Sequence, residues 1–193
     1  SGRCKAVSLQ VENLTVYYQT LHGDVRALED ATFTIADGEI MGLAGESGCG
    51  KTTLGHSLIL LSLPMKRMQG HVILDGEALP IQDTERMNDF RFTRVSIIPQ
   101  YAMNALNPTR KIGKMIAELL RSKRVDPAAV LPELKRRLDL VGLSHDVLNM
   151  YPIELSGGMK QRMVMVLSTL MNPSLLIADE ITSALDVSSQ KAV

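Results

Sequence analysis

Residues Gly45-Glu46-Ser47-Gly48-Cys49-Gly50-Lys51-Thr52 follow the pattern G-x-x-x-x-G-K-[ST], whose residue types suit a phosphate-binding loop. Glycines let successive backbone N–H groups turn inward around phosphate oxygens, and a helix opening behind them adds the positive end of its dipole. Lys51 supplies a cation for the β- and γ-phosphates, and Thr52 a hydroxyl suited to Mg²⁺. Thr53 adds a second hydroxyl near the α-phosphate. A ligand-free glycine turn would explain the glycines but not the Lys-Thr pair that ends them. The apolar run Leu175–Ala178 ends in Asp179-Glu180, 128 residues beyond Lys51. Asp179 can join a Mg²⁺ shell, and Glu180 is placed to polarise an attacking water. Many strands end in acids, so this pair gains its weight from the loop upstream.

A second candidate anion site is Leu155-Ser156-Gly157-Gly158-Met159-Lys160-Gln161-Arg162. Ser156 is a capping residue whose helix would point free N–H groups outward, and two glycines permit close approach. A plain helix cap is the alternative. Cys49 sits among the inward-facing N–H groups of the first loop, which would favour a reactive thiolate; a packed, inert thiol is the simpler expectation.

Several elements must position these residues. Val7, Leu9 and Val11, then Leu14, Val16 and Tyr18, alternate as in a strand, and alternation resumes after the His22-Gly23-Asp24 turn. Asp37-Gly38 makes a second turn, and Glu39–Ala44 reads as a short apolar strand entering the glycines. Leu54–Leu63 reads as a buried helix stopped by Pro64. Further strands are expected at His71–Leu74 and Val95–Ile98, with a polar helix over Thr84–Arg91 between them. Ile112, Met115, Ile116, Leu119 and Leu120 recur at helical spacing. Pro132 can open another helix that carries Leu134, Leu138 and Val141 and stops at Gly142. A helix from Ser156 to about Met171 and a buried strand over Leu175–Ala178 complete the series. Strand–helix alternation around a helical block implies an α/β fold with a lobe.

The composition sets limits. The chain has 193 residues, 45% hydrophobic and 22% charged, which is ordinary for a globular domain. Lys plus Arg and Asp plus Glu each number 21, so no basic excess points to nucleic acid. No apolar run approaches the roughly 18–20 residues of a membrane span, and no secretory leader is evident at the first residues. Two cysteines, Cys4 and Cys49, make neither a disulfide framework nor a four-ligand zinc site.

With these motifs assembled, the chain resembles the nucleotide-binding subunits of ABC transporters, and Leu-Ser-Gly-Gly followed by Lys160-Gln161-Arg162 is similar to that superfamily's signature. The resemblance implies a P-loop NTPase core, an N-terminal antiparallel β subdomain and an inserted α-helical subdomain. The expected layout is one domain over residues 1–193: 1–100 as β subdomain and phosphate-loop half, 101–160 as helical subdomain with the signature, and 161–193 as a truncated second half. Gln100 resembles the glutamine that touches Mg²⁺ and senses the membrane partner, and Ser183-Ala184-Leu185-Asp186 resembles the D-loop. Tyr18 falls where the family places an aromatic ring on adenine, although Tyr17 is one register away. Leu106-Asn107-Pro108 and the Ser-Gly-Gly-Met segment resemble the oligopeptide/dipeptide importer branch, which also includes nickel and some sugar importers.

The resemblance implies ATP and Mg²⁺, and catalysis by Lys51, Gln100 and Glu180 with Thr52 and Asp179 on the metal. It pairs two such subunits head to tail, as homo- or heterodimer, with Ser156, Gly157 and Gly158 of each closing on the other's ATP. Permease subunits, and indirectly a solute-binding protein, are the implied partners, at the cytoplasmic face of the cell membrane. Departures are Cys49 for the commoner serine, Tyr101 after Gln100, and Ile181 after the glutamate. The chain stops at Val193 before the family's switch histidine, so it is expected to be a piece of a longer protein. A soluble ABC ATPase and a non-hydrolysing nucleotide-binding module are the rival readings. Between Arg110 and Arg137 nine basic residues face three acidic ones, a local +6 that leaves −6 elsewhere. Such a block is usually a solvated face; in a lobe turned to the permease it would also meet the anionic leaflet.

Overall fold

The computed structural model describes residues 7–46, 48–59, 64–99 and 106–179. It divides into two units, one ending at Val95 and the other starting at Ser96. In the first, β1 (Val7–Thr20), β2 (Gly23–Ala36), β3 (Met65–Leu74) and β4 (Glu77–Ala78) form an antiparallel sheet in the order β2-β1-β3-β4. The apolar alternation of β1 changes phase midway because the strand bulges. Asn13 is left-handed at φ 47°, and the pairing shifts register there with both neighbours. Leu9, Val11, Leu14 and Val16 consequently share one buried face, none more than 1% exposed.

The bulge spans three strands. Asp30 on β2 is also at φ 47°, and Gly70 on β3 at φ 92°. A Cβ at Gly70 would lie 2.4 Å from the Asn13 carbonyl oxygen, so only glycine fits. Threonine hydroxyls take the donors that the ladder gives up: Asn13 N–H donates to Thr32 Oγ1 at 2.9 Å, and Asp30 N–H to Thr15 Oγ1 at 3.0 Å. Asn13 Nδ2 donates to Asp30 Oδ1 at 2.7 Å. Helix α1 (Lys51–Ser57) and helix α2 (Thr84–Phe90) belong to the same unit. Asp83 caps α2 by accepting from Arg86 N–H at 3.0 Å, and Met87 is its fully buried anchor.

Three expectations fail in this unit. Glu39–Ala44 is not a strand, because among the described residues none pairs with it; Ile40 is 96% exposed and Leu43 51%. The first helix starts at Lys51 rather than Leu54 and ends at Ser57. Left-handed Gly50 sets the start, and the Leu54 N–H bond to Gly50 O at 2.8 Å closes the first turn. Strand β3 also begins six residues ahead of the expected His71.

In the second unit β5 (Val95–Ile98), which begins at the boundary, pairs with β6 (Leu175–Ala178). Both match their expected limits, but β6 is not fully buried: Leu176 is 41% exposed. Helix α3 (Ile112–Ser122) buries Ile112, Ile116 and Leu120. Helix α4 (Pro127–Leu140) starts five residues before Pro132. Asp126 accepts from Ala128 N–H at 3.0 Å and Pro127 takes the first helical position, a combination that Leu131-Pro132 cannot offer because leucine has no capping acceptor. Gly142, at φ 65°, ends α4 as expected; its N–H bonds Asp139 O at 3.0 Å, and Leu143 N–H bonds Leu138 O at 2.9 Å. Two short 3₁₀ turns, His145–Asn149 and Pro152–Glu154, lead to helix α5 (Gly157–Thr169). Ser168 Oγ on α5 donates to Ile97 O of β5 at 2.7 Å, joining helix to strand.

Candidate phosphate-binding site

The glycine loop enters α1 with Gly48 and Gly50 both left-handed, at φ 83° and 93°. Each glycine has a separate reason. At Gly50 a Cβ would stand 3.0 Å from Ala27 O, and at Gly45 2.7 Å from Cys49 Sγ. Lys51 folds back over the loop, donating from Nζ to Gly45 O at 2.8 Å and Glu46 O at 2.7 Å, with Cys49 Sγ 3.5 Å away. Its ammonium is thus held beside the loop backbone, where a phosphate oxygen could replace a carbonyl as a stronger, charged acceptor. Cys49 is an exposed free thiol. Thr52 is exposed at the first turn, whereas Thr53 is buried.

The hydroxyls of Thr53 and Tyr18 share a hydrogen bond of 2.6 Å, which brings Tyr18 to the root of the loop. Tyr17 instead takes a hydrogen bond from Arg26 at 3.3 Å, with that guanidinium 5.9 Å from its ring centre. Adjacent strand residues face opposite ways, so the sheet itself separates the two tyrosines.

The remaining candidates belong to the second unit or fall outside the described residues. Asp179, half-buried at the end of β6, donates its N–H to Ile98 O at 3.0 Å. Ser156 caps α5, accepting from Met159 N–H at 3.3 Å. Gly157 and Gly158 are exposed, and a Cβ on either would meet nothing within 4 Å. The fold therefore does not require these two glycines, although each costs a helix up to about 1 kcal/mol relative to alanine. Ser47, Gln100, Glu180 and the Ser183–Asp186 segment lie outside the described residues.

The residue types fit a nucleotide with its metal. A Cβ at Gly45 would press on Cys49 and disturb the loop, and Thr52 in the first unit offers a hard oxygen of the kind Mg²⁺ takes in small number beside phosphate and water. Sequence reading assigned no role to Arg162, which ties the signature turn to the end of α4 through Val141 O at 3.0 Å and Gly142 O at 3.4 Å. Its place in the Lys160-Gln161-Arg162 run was the available signal.

The solved structure of the ATP-binding cassette MJ0796, dimeric and in a post-hydrolysis state with ADP and Pi, matches with a TM-score of 0.79 at 25% identity, over 95% of this chain and 78% of that one. The fold is that of an ATP-binding cassette, an α/β P-loop nucleotide hydrolase. The chain belongs to the ABC transporter family, whose description matches residues 28–183. The oligopeptide transport ATP-binding protein OppD of Salmonella typhimurium is 37% identical over 190 residues, covering 97% of this chain. The dipeptide transport ATP-binding protein DppD of Bacillus subtilis is 37% identical over 190 residues, covering 96%. The chain spans 57% of the length of each of these two relatives.

Proposed function

We propose that this chain is the nucleotide-binding part of an ATP-hydrolysing subunit that drives a membrane importer of peptides or related small solutes. The observation that carries the reading is the loop: Lys51 held over a backbone cradle that opens directly into a helix. Near-complete alignment with subunits named for oligopeptide and dipeptide transport supports the choice of solute.

In this reading the loop N–H groups from Gly45, Glu46, Ser47, Gly48, Cys49 and Gly50 bind the phosphates, and Lys51 neutralises the β/γ charge. Thr52 and Asp179 hold Mg²⁺ with Gln100, the metal supplying charge neutralisation for phosphoryl transfer. Glu180 orients the attacking water, Thr53 stands near the α-phosphate and Tyr18 meets adenine. Ser156, Gly157 and Gly158 act on the nucleotide of a second subunit. Closure on ATP and reopening after hydrolysis would move permease subunits, with the protein peripheral on the cytoplasmic face. Among the described residues no helix is long and apolar enough to cross a membrane.

Lys51→Ala tests the reading in the intact subunit. We expect ATP affinity to fall by at least about tenfold, since charge-assisted hydrogen bonds of roughly 1.5–3 kcal/mol are lost. Equal binding of radiolabelled ATP by both proteins would overturn it.

A further inference from the structure

Two arginines link α4 and α5, each serving the C-terminal end of the other's helix. Arg162 of α5 donates Nη1 to Val141 O at 3.0 Å and Gly142 O at 3.4 Å, and Nε to Gly158 O at 3.3 Å. Arg137 of α4 donates to Thr169 O, the last residue of α5, and through Nη2 to Asn172 Oδ1 at 2.6 Å. Its Nε donates to Glu133 Oε1 at 2.7 Å, which holds the guanidinium in aim. Thr169 O also accepts from Asn172 N–H at 2.9 Å, so Arg137 uses the carbonyl's second lone pair, and a cation there meets the negative end of the helix dipole. A planar guanidinium can serve several such oxygens in fixed directions, which an ammonium cannot.

The arrangement does more than close a helix. Helix α4 already ends in its own backbone bonds, Leu143 N–H to Leu138 O and Gly142 N–H to Asp139 O. Arg162 reaches the carbonyls beyond that closure, so its gain is the link between the helices. The same side chain touches Gly158 O, in the first turn of α5. On the entry side, Tyr151 N–H donates to Glu154 Oε2 at 2.5 Å, and Leu155 N–H to Pro152 O at 3.2 Å. The turn is therefore held from both directions while Gly157 and Gly158 stay open.

We propose that Arg162 is a positioning residue: with Arg137 it forms a reciprocal tether that fixes the direction of α5, and so the aim of the Ser156–Gly158 N–H groups. This rests on the function proposed above, in which those groups meet a nucleotide held by a second subunit.

Arg162→Gln and Arg162→Lys in the intact subunit test it, with three readouts: amide exchange at Met159 and Lys160 without nucleotide, kcat and KM for ATP, and the unfolding midpoint. For Arg162→Gln we expect exchange to quicken about fivefold or more, and kcat to fall about tenfold with KM held within about twofold. Arg162→Lys should recover part of both losses. Unchanged exchange at Met159 and Lys160 overturns the tether whatever happens to turnover. So does a fall in kcat that tracks a fall in the unfolding midpoint. If the wild-type subunit neither binds nor hydrolyses ATP, the proposed function falls, and amide exchange alone still decides the tether.

Discussion

Gly157 and Gly158 set stability against activity at the level of single residues. Neither has a positive φ and neither is crowded, so the chain gains nothing in its own packing from omitting a Cβ there. Replacing Gly157 with alanine should raise stability by about 0.4–1 kcal/mol, through a less flexible unfolded chain. Under the proposed function, in which this turn meets a second subunit's nucleotide, the same change should lower ATP turnover, because the added methyl projects into that open space. Urea unfolding and steady-state hydrolysis on the same preparation check the two opposite signs. Gly50 and Gly70 are different in kind: their left-handed backbones and close carbonyl neighbours make them requirements of the fold. Composition alone cannot separate these two kinds of glycine.

Helix α4 shows an element held by charge as well as by its buried Leu134 and Leu138. Glu133 accepts from Arg136 and Arg137, and those hydrogen bonds pull its carboxyl from the usual 4.5 down to about 2. A depressed pKa stabilises the folded state while the carboxylate is ionised. That contribution is complete above about 4.5 and disappears as pH falls to about 2. Glu133→Gln should therefore be the less stable protein at pH 7, and the gap should close between pH 5 and 2; thermal unfolding across that range measures it. Much of the element order was legible from periodicity and turns: β1 and β2 with their hairpin, β5, α3, and the Ser156 cap of α5. The misses have physical causes. Pro132 has the residue type of a helix start, but Asp126-Pro127, five residues earlier, supplies both the capping acceptor and the first helical position. Glu39–Ala44 has strand composition, but a strand exists only when paired. The arginine tether was hidden because its partners lie 32 and 35 residues from Arg137 and 20 and 21 from Arg162.

Across the whole molecule, the neutral total conceals the basic block between Arg110 and Arg137, and the structure sorts that block by use. Arg110 pairs with Glu118, Arg136 and Arg137 with Glu133, and Lys111 lies 5.9 Å from the Tyr151 ring centre. Of the other five, Lys123 is half-buried, and Lys114, Arg121, Arg124 and Lys135 are exposed cations. Changing these four to glutamine should weaken attachment to vesicles containing anionic lipid by at least about tenfold, at roughly 1 kcal/mol per cation near the surface. ATP affinity should not change; undiminished attachment removes the leaflet from the account. The bulge row of Asn13, Asp30 and Gly70 carries a different consequence, for how the chain can change in length. A residue inserted in β1 ahead of Asn13 would move the Leu9 and Val11 side chains to the opposite face. Restoring them would need matching changes in β2 and β3 together. The hairpin at Leu21 and His22, where Leu21 is wholly exposed, has no such coupling. Insertions and deletions can therefore accumulate at that tip, while the row across the sheet stays fixed in length.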